Sequence, residues 1–171
     1  MAKKDNKFLG DYNTTIEDTI EDRNTKIVKI NNITYNVEIL DTANEEDYAN
    51  MMDMWISFGE GFIIVFGLND YSSFEKMKPL RDRIIKYKHE ANVPILLVGN
   101  MQDLSKYRQV NYEEAKKLAD SWGIDYIETS ASTNYNCKEA FESIIKKIGE
   151  TKIPAKKKKK IFLVISTKFN N

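Results

Sequence analysis

Apolar and polar positions along the chain fall into short blocks that alternate between strand-like and helix-like spacing. Lys26 to Ile30 (KIVKI) reads as a strand, and in Tyr35 to Leu40 (YNVEIL) Val37 and Ile39 alternate with polar residues as in a half-buried strand. The tight-turn pair Asn31-Asn32 leads into the second strand at Ile33, so this region predicts a hairpin. Met51, Met52, Met54 and Trp55 begin a helix-compatible pattern. Gly61 to Phe66 (GFIIVF) is an unbroken apolar run, as expected of a parallel strand covered on both faces. Ser72 or Ser73 is placed to cap a helix with the stripe Phe74, Met77, Leu80, Ile84 and Tyr87. After Pro94 a second buried strand, Ile95 to Val98, ends at Gly99-Asn100. Asn111 with Glu114 has capping-box spacing before Ala115, Leu118, Ala119 and Trp122, and Gly123 stops that helix. Tyr126 to Thr129 is a short strand. Asn136 with Glu139 repeats the capping spacing before Phe141, Ile144, Ile145 and Ile148, with Gly149 as the expected terminator. Strands alternating with helices in this way predict an α/β domain with a doubly wound, mostly parallel sheet.

Composition narrows the class. A chain of 171 residues suits one domain with a real core, and 42% hydrophobic residues exclude general disorder. Lysines plus arginines number 26 and acids 26, a balance that gives no reason to expect a nucleic-acid partner. Charge is nevertheless segregated: residues 13–60 are acid-rich, while Lys156 to Lys160 form an unbroken basic run. Cys137 is the one cysteine, which rules out an internal disulfide and fits a reducing, cytoplasmic compartment. MAKKDNKFLGDYN lacks a long apolar core, so no signal peptide is expected, and no segment reaches the roughly 20 apolar residues of a membrane span.

Candidate chemistry lies in three loops, each after the carboxyl end of a predicted strand: Asp41-Thr42-Ala43-Asn44-Glu45, Asn100-Met101-Gln102-Asp103, and Glu128 to Ser132 (ETSAS). That edge is where open α/β sheets bind ligands. An aspartate there can hold Mg²⁺ beside a nucleotide phosphate; the alternative is a solvated acidic loop. In this order, with Gly59 to Phe62 (GEGF) between the first two, the chain resembles the Ras-type small GTPases from about Tyr12 to Ile148. The resemblance implies a small GTPase-like fold over 12–149, with 1–11 as an N-terminal arm and 150–171 as a basic linker and apolar tail. It also implies GTP or GDP with Mg²⁺ as ligands, and signalling effectors and regulators as partners.

Carried over residue by residue, the resemblance makes Asp41, Thr42, Ala43, Asn44, Asn100, Met101, Gln102, Asp103, Ser130, Ala131 and Ser132 the nucleotide-binding set. Asp103 would accept two hydrogen bonds from the guanine edge, a paired contact that discriminates by roughly 1–3 kcal/mol. Asn100 would tie the loops together, and the Ala131 N–H would meet the guanine oxygen. Mg²⁺ would be held by Asp41 and by Thr15 or Thr19. The effector segment would run over Tyr12, Asn13, Thr14, Thr15, Ile16, Glu17, Asp18, Thr19 and Ile20. TIED occurs there twice, at Thr15 to Asp18 and Thr19 to Asp22, which leaves open which threonine is the ligand.

Departures from the family pattern are equally specific. Met101 and Ser132 stand where lysine stems pack on the base. Asn44 replaces a glycine whose N–H approaches the γ-phosphate, and Glu45 replaces the glutamine that orients the attacking water. A carboxylate there repels the phosphoryl oxygens, so hydrolysis is expected to be impaired. No Gly-x-x-x-x-Gly-Lys-Ser/Thr pattern occurs in the chain. Losing about five charge-assisted contacts at roughly 1.5–3 kcal/mol each removes on the order of 10 kcal/mol of affinity. Even picomolar binding would fall to about micromolar or weaker.

These departures point to a degenerate GTPase domain acting as an interaction module. A functional GTP-hydrolysing switch and a truncated product without a stable fold are the alternatives. In the family the strand before the phosphate loop lies in mid-sheet. Ile161 to Ser166 (IFLVIS) is the candidate to fill that slot, fed by the linker Glu150 to Lys160. Otherwise the fold lacks its first strand and helix. The competing role for Lys156–Lys160 is contact with an anionic membrane, at the cytoplasmic face of the plasma membrane.

Overall fold

A computed structural model describes residues 22–42, 49–90, 92–151 and 158–167. The strands are β1 (Asp22–Ile30), β2 (Ile33–Thr42), β3 (Gly61–Gly67), β4 (Ile95–Asn100), β5 (Asp125–Glu128) and β6 (Lys158–Thr167). The helices are α1 (Ala49–Phe58), α2 (Tyr71–Glu75), α3 (Met77–Lys88), α4 (Tyr112–Trp122) and α5 (Cys137–Thr151). They build one six-stranded sheet in the order β1-β2-β6-β3-β4-β5. Only the β1–β2 hairpin is antiparallel. Its turn residues Asn31 and Asn32 both have positive φ, 49° and 62°, as a two-residue hairpin turn demands.

The central slot is filled from the far end of the sequence. β6 lies parallel to β2 on one side, with Leu40 opposite Val164 and Thr42 opposite Ser166. On the other side it is parallel to β3, with Gly61 opposite Leu163 and Ile64 opposite Ser166. Alternation along β6 feeds two cores. Ile161 and Leu163 join Val37, Ile63 and Leu96 under Ile144, Ile145 and Ile148 of α5. Val164 faces the other way, joining Leu40, Phe62, Ile64 and the helices α1, α2, α3 and α4. Burying each of these side chains contributes about 1.5–3 kcal/mol. Lys158 to Lys160 form the start of β6, opposite Thr34 to Asn36.

Four local expectations are corrected. Asp70, not Ser72 or Ser73, is the N-cap of α2: its carboxylate accepts from the Ser73 N–H at 3.2 Å and the Ser72 hydroxyl at 2.7 Å. The helix expected across Phe74 to Tyr87 is broken after Glu75. Pro79 is the cause, because its ring clashes with the carbonyl four residues earlier, that of Glu75. Tyr87 lies at the exposed end of the stripe, not in the core. Gly149 does not terminate α5, which continues to Thr151. Its role is close packing: a Cβ there would sit 2.6 Å from the Tyr35 hydroxyl.

Both capping asparagines also act differently from the expected box. Asn111 occupies the N-cap of α4 with no side-chain cap bond. Asn136 donates its amide to the Glu128 carbonyl at 3.0 Å, which anchors the start of α5 to β5. Gly123 ends α4 at φ 66° as expected. Cys137 is buried, and His89 is the exposed left-handed C-cap of α3.

Candidate functional site

The carboxyl ends of β2, β6, β3, β4 and β5 line one edge of the sheet, and the residues singled out from the sequence gather there in two groups. The first is built by the loops after β4 and β5. Gly99 lets those strands approach closely, since a Cβ on it would lie 2.7 Å from the Tyr126 hydroxyl. The Thr129 N–H donates to the Gly99 carbonyl at 2.8 Å, and the Gln102 N–H donates to the Thr129 carbonyl at 3.1 Å. Asn100 then joins the loops through its side chain: Oδ1 accepts from the Thr129 hydroxyl and from the Ala131 N–H, each at 3.2 Å. The amide that would meet a guanine oxygen is thus engaged by Asn100 in this structure.

Asp103 opens a 3-10 helix, Gln102–Tyr107, and is exposed. Its Oδ1 accepts from the Ser130 hydroxyl at 2.6 Å. Ser130 in turn lies 3.0 Å from the Ser132 hydroxyl and accepts from the Thr133 N–H at 3.2 Å. Hydrogen bonds from Ser130, then Ser132, hold the Asp103 carboxyl below the ordinary carboxylate range. It is therefore ionised at neutral pH, on an exposed residue whose Oδ1 is already engaged by Ser130. Met101 adopts the left-handed region, φ 68°, which is strained for a residue with a Cβ and costs roughly 1–2 kcal/mol. Such strain is characteristic of binding loops.

Beneath this group lies a clamp that sequence reading missed. Arg108 makes a two-pronged pair with Glu128, Nη1 to Oε1 at 2.9 Å and Nη2 to Oε2 at 2.7 Å, and also donates to the Val110 carbonyl. The Tyr126 hydroxyl donates to Glu128 Oε1 at 2.9 Å. Burial opposes ionisation of Glu128, yet hydrogen bonds from Arg108 and Tyr126 outweigh it and hold the carboxyl below its usual range. Burial, then the Glu128 charge, pushes the Tyr126 hydroxyl far up. Nothing in the spacing of Arg108, Tyr126 and Glu128 announces this clamp. Thr129, also absent from the expected set, was detectable as a polar residue inside ETSAS.

The second group lies at the ends of β2 and β6. Thr42 is fully buried, and its hydroxyl donates to the Ile165 carbonyl at 3.0 Å, which fastens β2 to β6. Asp41 is opposite Ile165. Ser166, 3% exposed, lies between Thr42 and Ile64, and its hydroxyl finds no partner among the described residues. Ala43, Asn44 and Glu45 lie outside the described residues, as do both candidate Mg²⁺ threonines, Thr15 and Thr19, and the effector segment 12–20. Among the described residues no cluster of three or more His, Cys, Asp or Glu is placed to hold a metal, and no helix is long and apolar enough to cross a membrane.

The Ras family model matches residues 5–150 of the chain. The chain belongs to the Ras family. Guanine nucleotide and Mg²⁺ are the ligands of Ras-family proteins in general, and effectors and regulators are their general partners. In this member the base side of the edge keeps part of what such a ligand needs: an ionised Asp103 is braced by serines, on loops locked together by Asn100, while the Ala131 N–H is taken up by Asn100. On the other side, among the described residues, β6 places the buried Ser166 opposite Thr42, whose hydroxyl donates to the Ile165 carbonyl of that strand.

Proposed function

We propose that this Ras-family chain is a signalling domain with weak or lost GTP binding and hydrolysis, working through its switch regions as a protein-interaction module. One observation carries the reading. β6 occupies the central slot and ends in Ser166-Thr167, which Lys168-Phe169-Asn170-Asn171 follow in the sequence. A phosphate loop following that strand requires glycine at the strand end and again five residues on, because the backbone must pass against the phosphates. Those positions hold Ser166 and Asn171. Asn44 and Glu45 support the same reading, since they remove a donor to the γ-phosphate and the group that orients water. Cytoplasmic signalling effectors and regulators are the partners this assigns. A membrane role for Lys156–Lys160 has less behind it, because three of the five lysines begin β6.

Calorimetric titration with GDP and with GTP, each with Mg²⁺, tests the proposal. The expected result is no saturable binding tighter than about micromolar. Submicromolar affinity for either nucleotide would overturn it. The ionised, serine-braced Asp103 favours a second reading, residual guanine-nucleotide binding with slow hydrolysis. Weak binding that Asp103→Ala abolishes, together with single-turnover phosphate release, would favour that second reading.

A further inference from the structure

The strand that completes the sheet is the last described element in the sequence, and without it the sheet falls into two pieces. β1 and β2 form a hairpin; β3, β4 and β5 form a parallel trio; no strand of one pairs with a strand of the other except through β6. The slot between them presents backbone donors and acceptors on two sides, β2 from Thr34 to Thr42 and β3 from Gly61 to Val65. Above and below, it presents apolar side chains of both cores, Val37 and Ile63 on one face and Leu40 and Phe62 on the other. Such a cleft is specific for an extended segment with apolar residues pointing both ways. β6 supplies that chemistry: Ile161 and Leu163 are fully enclosed on one face and Val164 almost fully on the other.

We infer that the slot accepts the β6 segment of a second copy of this chain, giving a strand-exchanged dimer. The second copy is the fitting occupant because it carries the identical donor, in the register that both β2 and β3 already specify. No other described element has to be unthreaded for the exchange, because β6 is the last described element in the sequence. A tethered strand competes with an effective concentration of about millimolar. Exchange is therefore favoured at high protein concentration, or whenever the chain's own strand is disabled.

The test uses two full-length variants. Ile161→Asp with Leu163→Asp disables the donor but keeps the slot; Val37→Asp with Ile63→Asp disables the slot but keeps the donor. Each alone is expected to show no cooperative melt. Refolded together in equal amounts, they are expected to regain a cooperative melt of about half the wild-type amplitude and to elute with the mass of two chains. A synthetic peptide of residues 158–171, added to the donor-disabled variant, checks that the slot remains competent. The inference is overturned if the mixture melts as the sum of its unfolded components, whether or not the peptide restores folding. A cooperative melt of the donor-disabled variant on its own overturns it equally, because the slot would then not need a strand.

Discussion

Two residues at the site edge make distinct demands on stability. The Ser166 hydroxyl is buried with no partner among the described residues. An unsatisfied buried hydroxyl costs about 1–3 kcal/mol. Ser166→Ala is therefore expected to stabilise the protein by about 1 kcal/mol, read as a higher urea midpoint at an unchanged slope. Glu128 acts in the opposite direction. Its folded-state pKa lies below the ordinary value, so its contribution to stability is present above roughly pH 4.3 and is lost as pH falls through the folded value. Urea midpoints between pH 3 and 7 should fall less steeply with acid in Glu128→Gln than in the wild type, though from a lower starting point. The residues of the site were not equally legible. Asn100 and Asp103 lie in a four-residue motif after a strand and were readable by spacing. The Arg108–Glu128 pair spans 20 residues, and the Ser166 site is assembled from β2, β3 and β6. Those partners are fixed by topology, which local pattern does not encode.

Among the elements, β6 has the greatest structural consequence. Leu163 is fully buried between α5 and the sheet and pairs across to both Ile39 and Gly61. Leu163→Ala is expected to cost about 2–5 kcal/mol by chemical denaturation. Every strand was visible as an apolar run or alternation, because burial on one or both faces leaves that imprint. Helix boundaries were less legible. The break after Glu75 depends on Pro79 acting four residues back, and Gly149 has the composition of a stop signal but serves as a contact with Tyr35. A glycine reads the same whether it ends a helix or admits a neighbour; only the packing distinguishes the two.

At the level of the whole molecule, the family, the layering and the filled central slot were all foreshadowed by the order of motifs and the apolar tail. What the sequence could not show was how the two cores share that tail, Ile161 and Leu163 to one and Val164 to the other. This arrangement has a consequence for biosynthesis. The keystone of the sheet leaves the ribosome after all the strands it must join. At about 5–20 residues per second, the hairpin and the parallel trio wait for seconds with their shared cleft open. Nascent chains arrested with 158–167 still inside the exit tunnel should be cleaved readily by protease, and chains arrested some 40 residues later, behind an added linker, should resist. Equal resistance at both arrest points would show that the earlier elements close up without their centre. On this account a trigger-type chaperone that shields open sheet edges during translation should raise the yield of this chain more than that of a Ras-family domain whose central strand is made first.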